Sequence, residues 1–130
     1  MTQVKHKRLI TALIAALGCA AIWPVASGAV TAHSSKVVVK KVSVADDFFG
    51  PAKLTIKKGN AINFVWKQTN YDSHNVTLIK APKGVKRAGF TSVTGAIGLH
   101  LKRTFTAPGT YHFECTIHPG TMNLTVTVNR

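Results

Sequence analysis

This sequence has little acid and little cysteine. Four Asp/Glu stand against 17 Lys/Arg in 130 residues, for a formal charge of +13. Cysteine occurs twice, at Cys19 and Cys115, and methionine twice, at Met1 and Met122. So few carboxylates speak against acid–base chemistry built on paired acids. No internal repeat and no convincing helical stripe is present, which removes solenoids and helix bundles. The basic residues are scattered, with no run that interleaves dense Lys/Arg with aromatics. Nucleic acid is therefore not an expected partner.

The first eight residues, "MTQVKHKR", are basic, and an apolar run from Leu9 to Ala26 follows, then the small-residue stretch "SGAVTA". That order is the pattern of a secretory signal peptide. Residues 1–29 are read as this leader, with cleavage after Ala29 or Ala32. Two further readings remain open: an uncleaved anchor, since the run is long enough to span a bilayer, and lipidation at Cys19 in "ALGC". All three place the domain outside the cytoplasmic membrane: periplasmic, cell-surface or secreted. Residues 30–36 read as a polar linker and 37–130 as one domain. From Val30 onward the chain holds 14 Lys/Arg and 4 Asp/Glu, a charge of 14 − 4 = +10. Such a surface favours acidic protein partners and anionic membranes.

Beyond the leader Cys115 is alone, so no disulfide can form within the chain. An unpaired thiol in an oxidising compartment is a liability unless it is buried, ligated or paired between chains.

The domain reads as short strands separated by turns. "VVVKKVSV" (37–44), "LTI" (54–56), "AINFVW" (61–66), "HNVTLI" (74–79), two runs around "APGT", and "LTVTV" (124–128) alternate with period two. Phe48 and Phe49 read as core or edge aromatics. Residues 81–100 are irregular, with room for one or two short strands or a turn of helix. About seven or eight strands predict an all-β sandwich or barrel.

Chemistry concentrates in "FECTIHPGTM", residues 113–122. Cys115 and His118 could be a nucleophile and its base, but an orienting group and a cleft are not evident for such an enzyme. As metal ligands the types fit better. Thiolate and imidazole suit copper and zinc, and the Met122 thioether suits copper. Cys115 ends a strand, and the turn with Pro119 and Gly120 can fold His118 back to the same ion. His74 stands beside a strand after the polar turn "QTNYDS", where loops at one end of a sandwich converge. Two His, one Cys and a weak axial Met form a blue-copper electron-transfer set. His112 and Glu114 fall on the strand face opposite Tyr111, Phe113 and Cys115, so His112 reads as a surface residue. His100 and His33 read as solvated or incidental, and no second histidine cluster for a catalytic copper is present.

The segments "DFFGPAKLTIKKGNAINFVW", "DSHNVTL", "FTAPGTYHFECTIHPGTM" and "LTVTV" together resemble the plastocyanin-like cupredoxins, over 37–128. The resemblance implies a Greek-key β-sandwich of about eight strands and one type 1 copper per chain. It implies His74, Cys115 and His118 as equatorial ligands and Met122 as axial ligand. Three residues, "PGT", separate His118 from Met122, a length that differs from the common family loops. Asn75 resembles the family asparagine that ties the ligand loops together. The expected function is a monomeric one-electron carrier serving an acidic redox partner, not an enzyme. The alternative is a copper-binding protein that stores or delivers the ion at the cell surface.

Overall fold

The computed structural model describes residues 36–130, so the leader and most of the linker lie outside the described residues. Eight strands form among the described residues: β1 Val39–Ala45, β2 Phe48–Gly50, β3 Lys53–Lys57, β4 Ala61–Trp66, β5 Thr77–Lys80, β6 His100–Thr104, β7 Gly109–Glu114 and β8 Asn123–Asn129. One sheet runs β2-β1-β4-β6 and the other β3-β8-β7-β5. This is the expected all-β sandwich.

Alternation in the sequence becomes burial in the sandwich. In β8, Leu124, Val126 and Val128 are buried while Asn123 and Asn129 are exposed. In β7, Tyr111 and Phe113 point inward, and His112 and Glu114 are only half-buried. Inward side chains of two sheets must interdigitate, and Phe64 of β4 meets Phe113 of β7 with ring centroids 5.4 Å apart. Trp66, Phe49 and Phe105 are also fully buried, so the aromatics supply the bulk of the core. Each such side chain contributes on the order of 1.5–3 kcal/mol of hydrophobic stabilisation. Phe49 and Phe48 of β2 split as core and edge, Phe48 being about half exposed.

Period-two patterning says nothing of strand direction, and two pairings are parallel: β1 with β4 and β3 with β8. The first of these decides where the site lies. Because Val44 pairs with Trp66 in parallel, β1 and β4 run out at the same end of the sandwich. The turn after β1 therefore faces the loop after β4. In the second sheet, β7 runs out and β8 begins at Glu114 opposite Asn123.

The irregular stretch contains one turn of 3-10 helix, Arg87–Phe90, and Phe90 packs its ring on Phe105 at 5.2 Å. It also touches the site, since Gly95 forms an isolated antiparallel bridge with His74.

One strand starts later than the sequence pattern suggests. "HNVTLI" predicts strand from His74, but β5 begins at Thr77. His74, Asn75 and Val76 are buried in succession. A regular strand sends neighbours to opposite faces, so three consecutive inward residues require an irregular backbone. The amide of Asn75 bonds a sulfur, and that of Val76 the Ser92 hydroxyl, in place of a ladder partner.

Candidate metal centre

The β7–β8 loop is closed by its own backbone. His118 N–H donates to the Cys115 carbonyl at 3.1 Å, Met122 N–H to that of His118 at 3.2 Å, and Cys115 N–H to that of Met122 at 3.1 Å. Gly120 supplies the turn's left-handed residue, at φ +91°, a conformation costly for side chains with a Cβ. The result presents Cys115 and His118 on the same side of the loop, with Cys115 Sγ 3.8 Å from His118 Nδ1.

His74 arrives from the β4–β5 loop, which crosses from one sheet to the other. Its amide and carbonyl both bond Gly95, at 2.9 and 3.1 Å, and Trp66 Nε1–H also donates to that carbonyl at 3.1 Å. With the backbone fixed three ways, His74 Nδ1 lies 3.2 Å from His118 Nδ1. The ligand atoms of His74, Cys115 and His118 all fall within 4.8 Å of one another.

These spacings fit one ion. At angles from tetrahedral to trigonal, two imidazole nitrogens about 2.0–2.1 Å from one ion stand about 3.3–3.6 Å apart, and a thiolate at about 2.3 Å stands about 3.5–3.8 Å from each. The 3.2 and 3.8 Å separations match this pattern. One thiolate and two imidazoles suit copper. His74, Cys115 and His118 are thus positioned to bind one copper ion.

Burial is graded across the site. Cys115 and His74 are inaccessible to solvent, whereas His118 keeps 21% of its side chain exposed. Met122 is fully buried, and its side chain belongs to the core cluster at the foot of the loop.

Asn75 ties the two ligand loops together, as the resemblance implied. Its Nδ2 donates to Thr116 Oγ1 at 2.8 Å and Thr94 Oγ1 at 3.2 Å, while its Oδ1 accepts from Thr116 N–H at 3.0 Å. Its own amide donates to Cys115 Sγ at 3.4 Å. His112 stays on the opposite face, near Thr125 Oγ1, and His100 is exposed at the start of β6.

Two acids in the β1–β2 turn escaped the sequence reading as site residues. Asp46 Oδ1 is 2.9 Å from His74 Nε2, and Asp47 Oδ1 is 4.0 Å from His118 Nε2. Asp47 sits at φ +64°, a conformation that Asp tolerates better than most residues. Asp46 also accepts from the amides of Tyr71 and Asp72. Bonding to His74, and then to the Tyr71 and Asp72 amides, holds its carboxyl below the usual aspartate range. The available signal was rarity: "ADD" holds two of only four acids in the chain.

Comparison with known proteins agrees with this centre. Plastocyanin from Prochlorothrix hollandica is 35% identical over 74 residues, 55% of this chain and 55% of its own length. The aligned part is thus only about half of that relative. Pseudoazurin from Methylobacterium extorquens AM1 is 27% identical with a TM-score of 0.56, over 70% of this chain and 75% of its own. A copper-containing nitrite reductase from Thermus scotoductus is 26% identical with a TM-score of 0.58, over 78% of this chain. The match spans only 25% of that enzyme. The family model described as "Copper binding proteins, plastocyanin/azurin family" matches residues 35–129, which takes in every strand and all three ligands. The chain belongs to the plastocyanin/azurin family of copper-binding proteins.

Proposed function

We propose that this protein is an extracytoplasmic carrier of single electrons, with His74, Cys115 and His118 holding copper and Met122 as the axial ligand. When bound, copper supplies a one-electron couple. The observation that carries the reading is the burial gradient: His74 and Cys115 are sealed, and His118 alone reaches the surface. A site built this way excludes substrate from the ion while leaving one imidazole edge as the route for an electron.

The chain's own residues supply the rest. Backbone bonds that close the 115–122 loop, together with Asn75, hold the ligands in one arrangement through a change of charge. A rigid ligand set keeps the reorganisation between oxidation states small. Burial of Cys115 also accounts for its survival unpaired in an oxidising compartment. The basic, apolar, small-residue leader supports export. The excess of Lys/Arg over acids favours an acidic redox partner.

Loading the purified protein with Cu(II) and recording absorption, electron spin resonance and voltammetry tests the reading. The expected results are an intense visible thiolate-to-copper band and a reversible one-electron wave, with no metal lost to a chelator over redox cycles. Folded, metal-loaded protein without that band would overturn it. Release of the ion on reduction would favour storage or delivery instead.

A further inference from the structure

The two histidine ligands are each backed by an aspartate from the same two-residue turn, but at unequal range. Asp46 Oδ1 contacts His74 Nε2 at 2.9 Å, whereas Asp47 Oδ1 stands 4.0 Å from His118 Nε2, outside hydrogen-bond reach. We propose that Asp46 is a positioning residue for the copper centre, setting the tautomer of His74 and favouring Cu(II) over Cu(I) through its charge. The proposal rests on the copper reading above.

The tautomer follows from the contact. An ionised carboxylate can only accept, so Nε2 carries the proton. In the neutral ring that leaves the Nδ1 lone pair facing Cys115 and His118, where an ion requires it. Carboxylate–imidazole–metal arrays also raise the basicity of the ligating nitrogen. His74 is wholly buried and Asp46, 32% exposed, stands between its Nε2 and solvent.

The same carboxylate anchors the approach to the ligand. Asp46 accepts from the Tyr71 and Asp72 amides at 3.1 and 3.3 Å, in the loop that leads into His74. It therefore joins the end of β1 to the β4–β5 loop, a junction that the parallel β1–β4 pairing makes short. Asp47 is 70% exposed and makes no hydrogen bond to its imidazole, so solvent screens its charge far more.

Asp46→Asn keeps an oxygen that accepts from Nε2–H and removes the charge, giving up only the Tyr71 amide bond at Oδ2, since an amide NH2 cannot accept. Asp46→Ala removes both oxygen and charge, and Asp47→Asn removes an equal charge from the neighbouring residue. In copper-free protein, long-range proton–nitrogen spectra of His74 should show the Nε2–H form in the wild type and Asp46→Asn, but mixed tautomers in Asp46→Ala. In loaded protein, Asp46→Asn should raise the reduction potential by about 59 mV, the equivalent of a tenfold change in relative Cu(II) and Cu(I) affinity. Asp47→Asn should move it by less than half as much. Equal shifts in the two Asn variants would overturn the proposal, as would a wild-type His74 protonated at Nδ1. The metal-free spectra stand whether or not the loaded protein is blue, so failure of the copper reading is distinguishable.

Discussion

Asn75 N–H donates to Cys115 Sγ at 3.4 Å, across 40 residues of chain and from one ligand loop to the other. The side chain of the same residue bonds Thr116, immediately after the cysteine, as donor and as acceptor. Asn75→Ala should therefore loosen both loops at once. Loss of these part-buried bonds leaves Thr116 N–H short of its protein partner and should cost about 1–2 kcal/mol. Denaturant midpoints of the metal-free protein measure the loss. A cost below about 0.5 kcal/mol would show that the loops hold without this bridge.

The exposure difference between the two histidines predicts unequal rescue. His118 has 21% of its side chain exposed, while His74 has none. In Cu(II)-loaded His118→Gly, added imidazole should enter from solvent and restore a thiolate-to-copper band. In His74→Gly the space is roofed by protein, and the same imidazole concentration should restore little. Titration followed by absorption decides, and equal rescue would contradict the burial gradient.

What was legible in the sequence depended on range. Cys115 and His118 lie three apart, and local turn chemistry around Pro119 and Gly120 brings them together. His74 was found through the resemblance and the convergence of loops at a sandwich end. Alternation predicted the strands but not their direction, and the parallel β1–β4 pairing is what brings Asp46 to His74 from 28 residues away. Asp46 was hidden for that reason. β5 starts later than the sequence pattern because "HNV" runs straight into "TLI", while the successive burial of its three residues, which sets them apart from a strand, is a tertiary property. The short helix in residues 81–100 was anticipated only loosely, since its anchor, Phe90 on Phe105, is a tertiary contact.

Tyr111 offers a pH-dependent prediction far from the ligands. Its hydroxyl donates to the Ala107 carbonyl at 2.8 Å, and burial pushes its pKa above the usual 10.0. Folding thus favours the neutral phenol. Its contribution is complete below about pH 10 and is lost as pH rises through the higher native value. Tyr111→Phe should cost about 1 kcal/mol at neutral pH. The gap between wild type and variant should then narrow as pH rises past about 10, followed by urea midpoints at increasing pH. A gap that stays constant or widens would contradict this sign.

Met122 separates a ligand from a core residue. It is fully buried among core side chains, and its backbone closes the loop that carries Cys115 and His118. Leucine nearly conserves the volume, so Met122→Leu should cost less than about 1.5 kcal/mol in metal-free protein. If the thioether ligates, removing it takes away a soft donor that favours Cu(I), and the Cu(II) centre loses its axial interaction. The reduction potential and the electron spin resonance parameters should then both shift, although stability barely changes. A variant with unaltered spectrum and potential would make Met122 a packing residue. The three residues "PGT" before it would then only lead the loop back into β8.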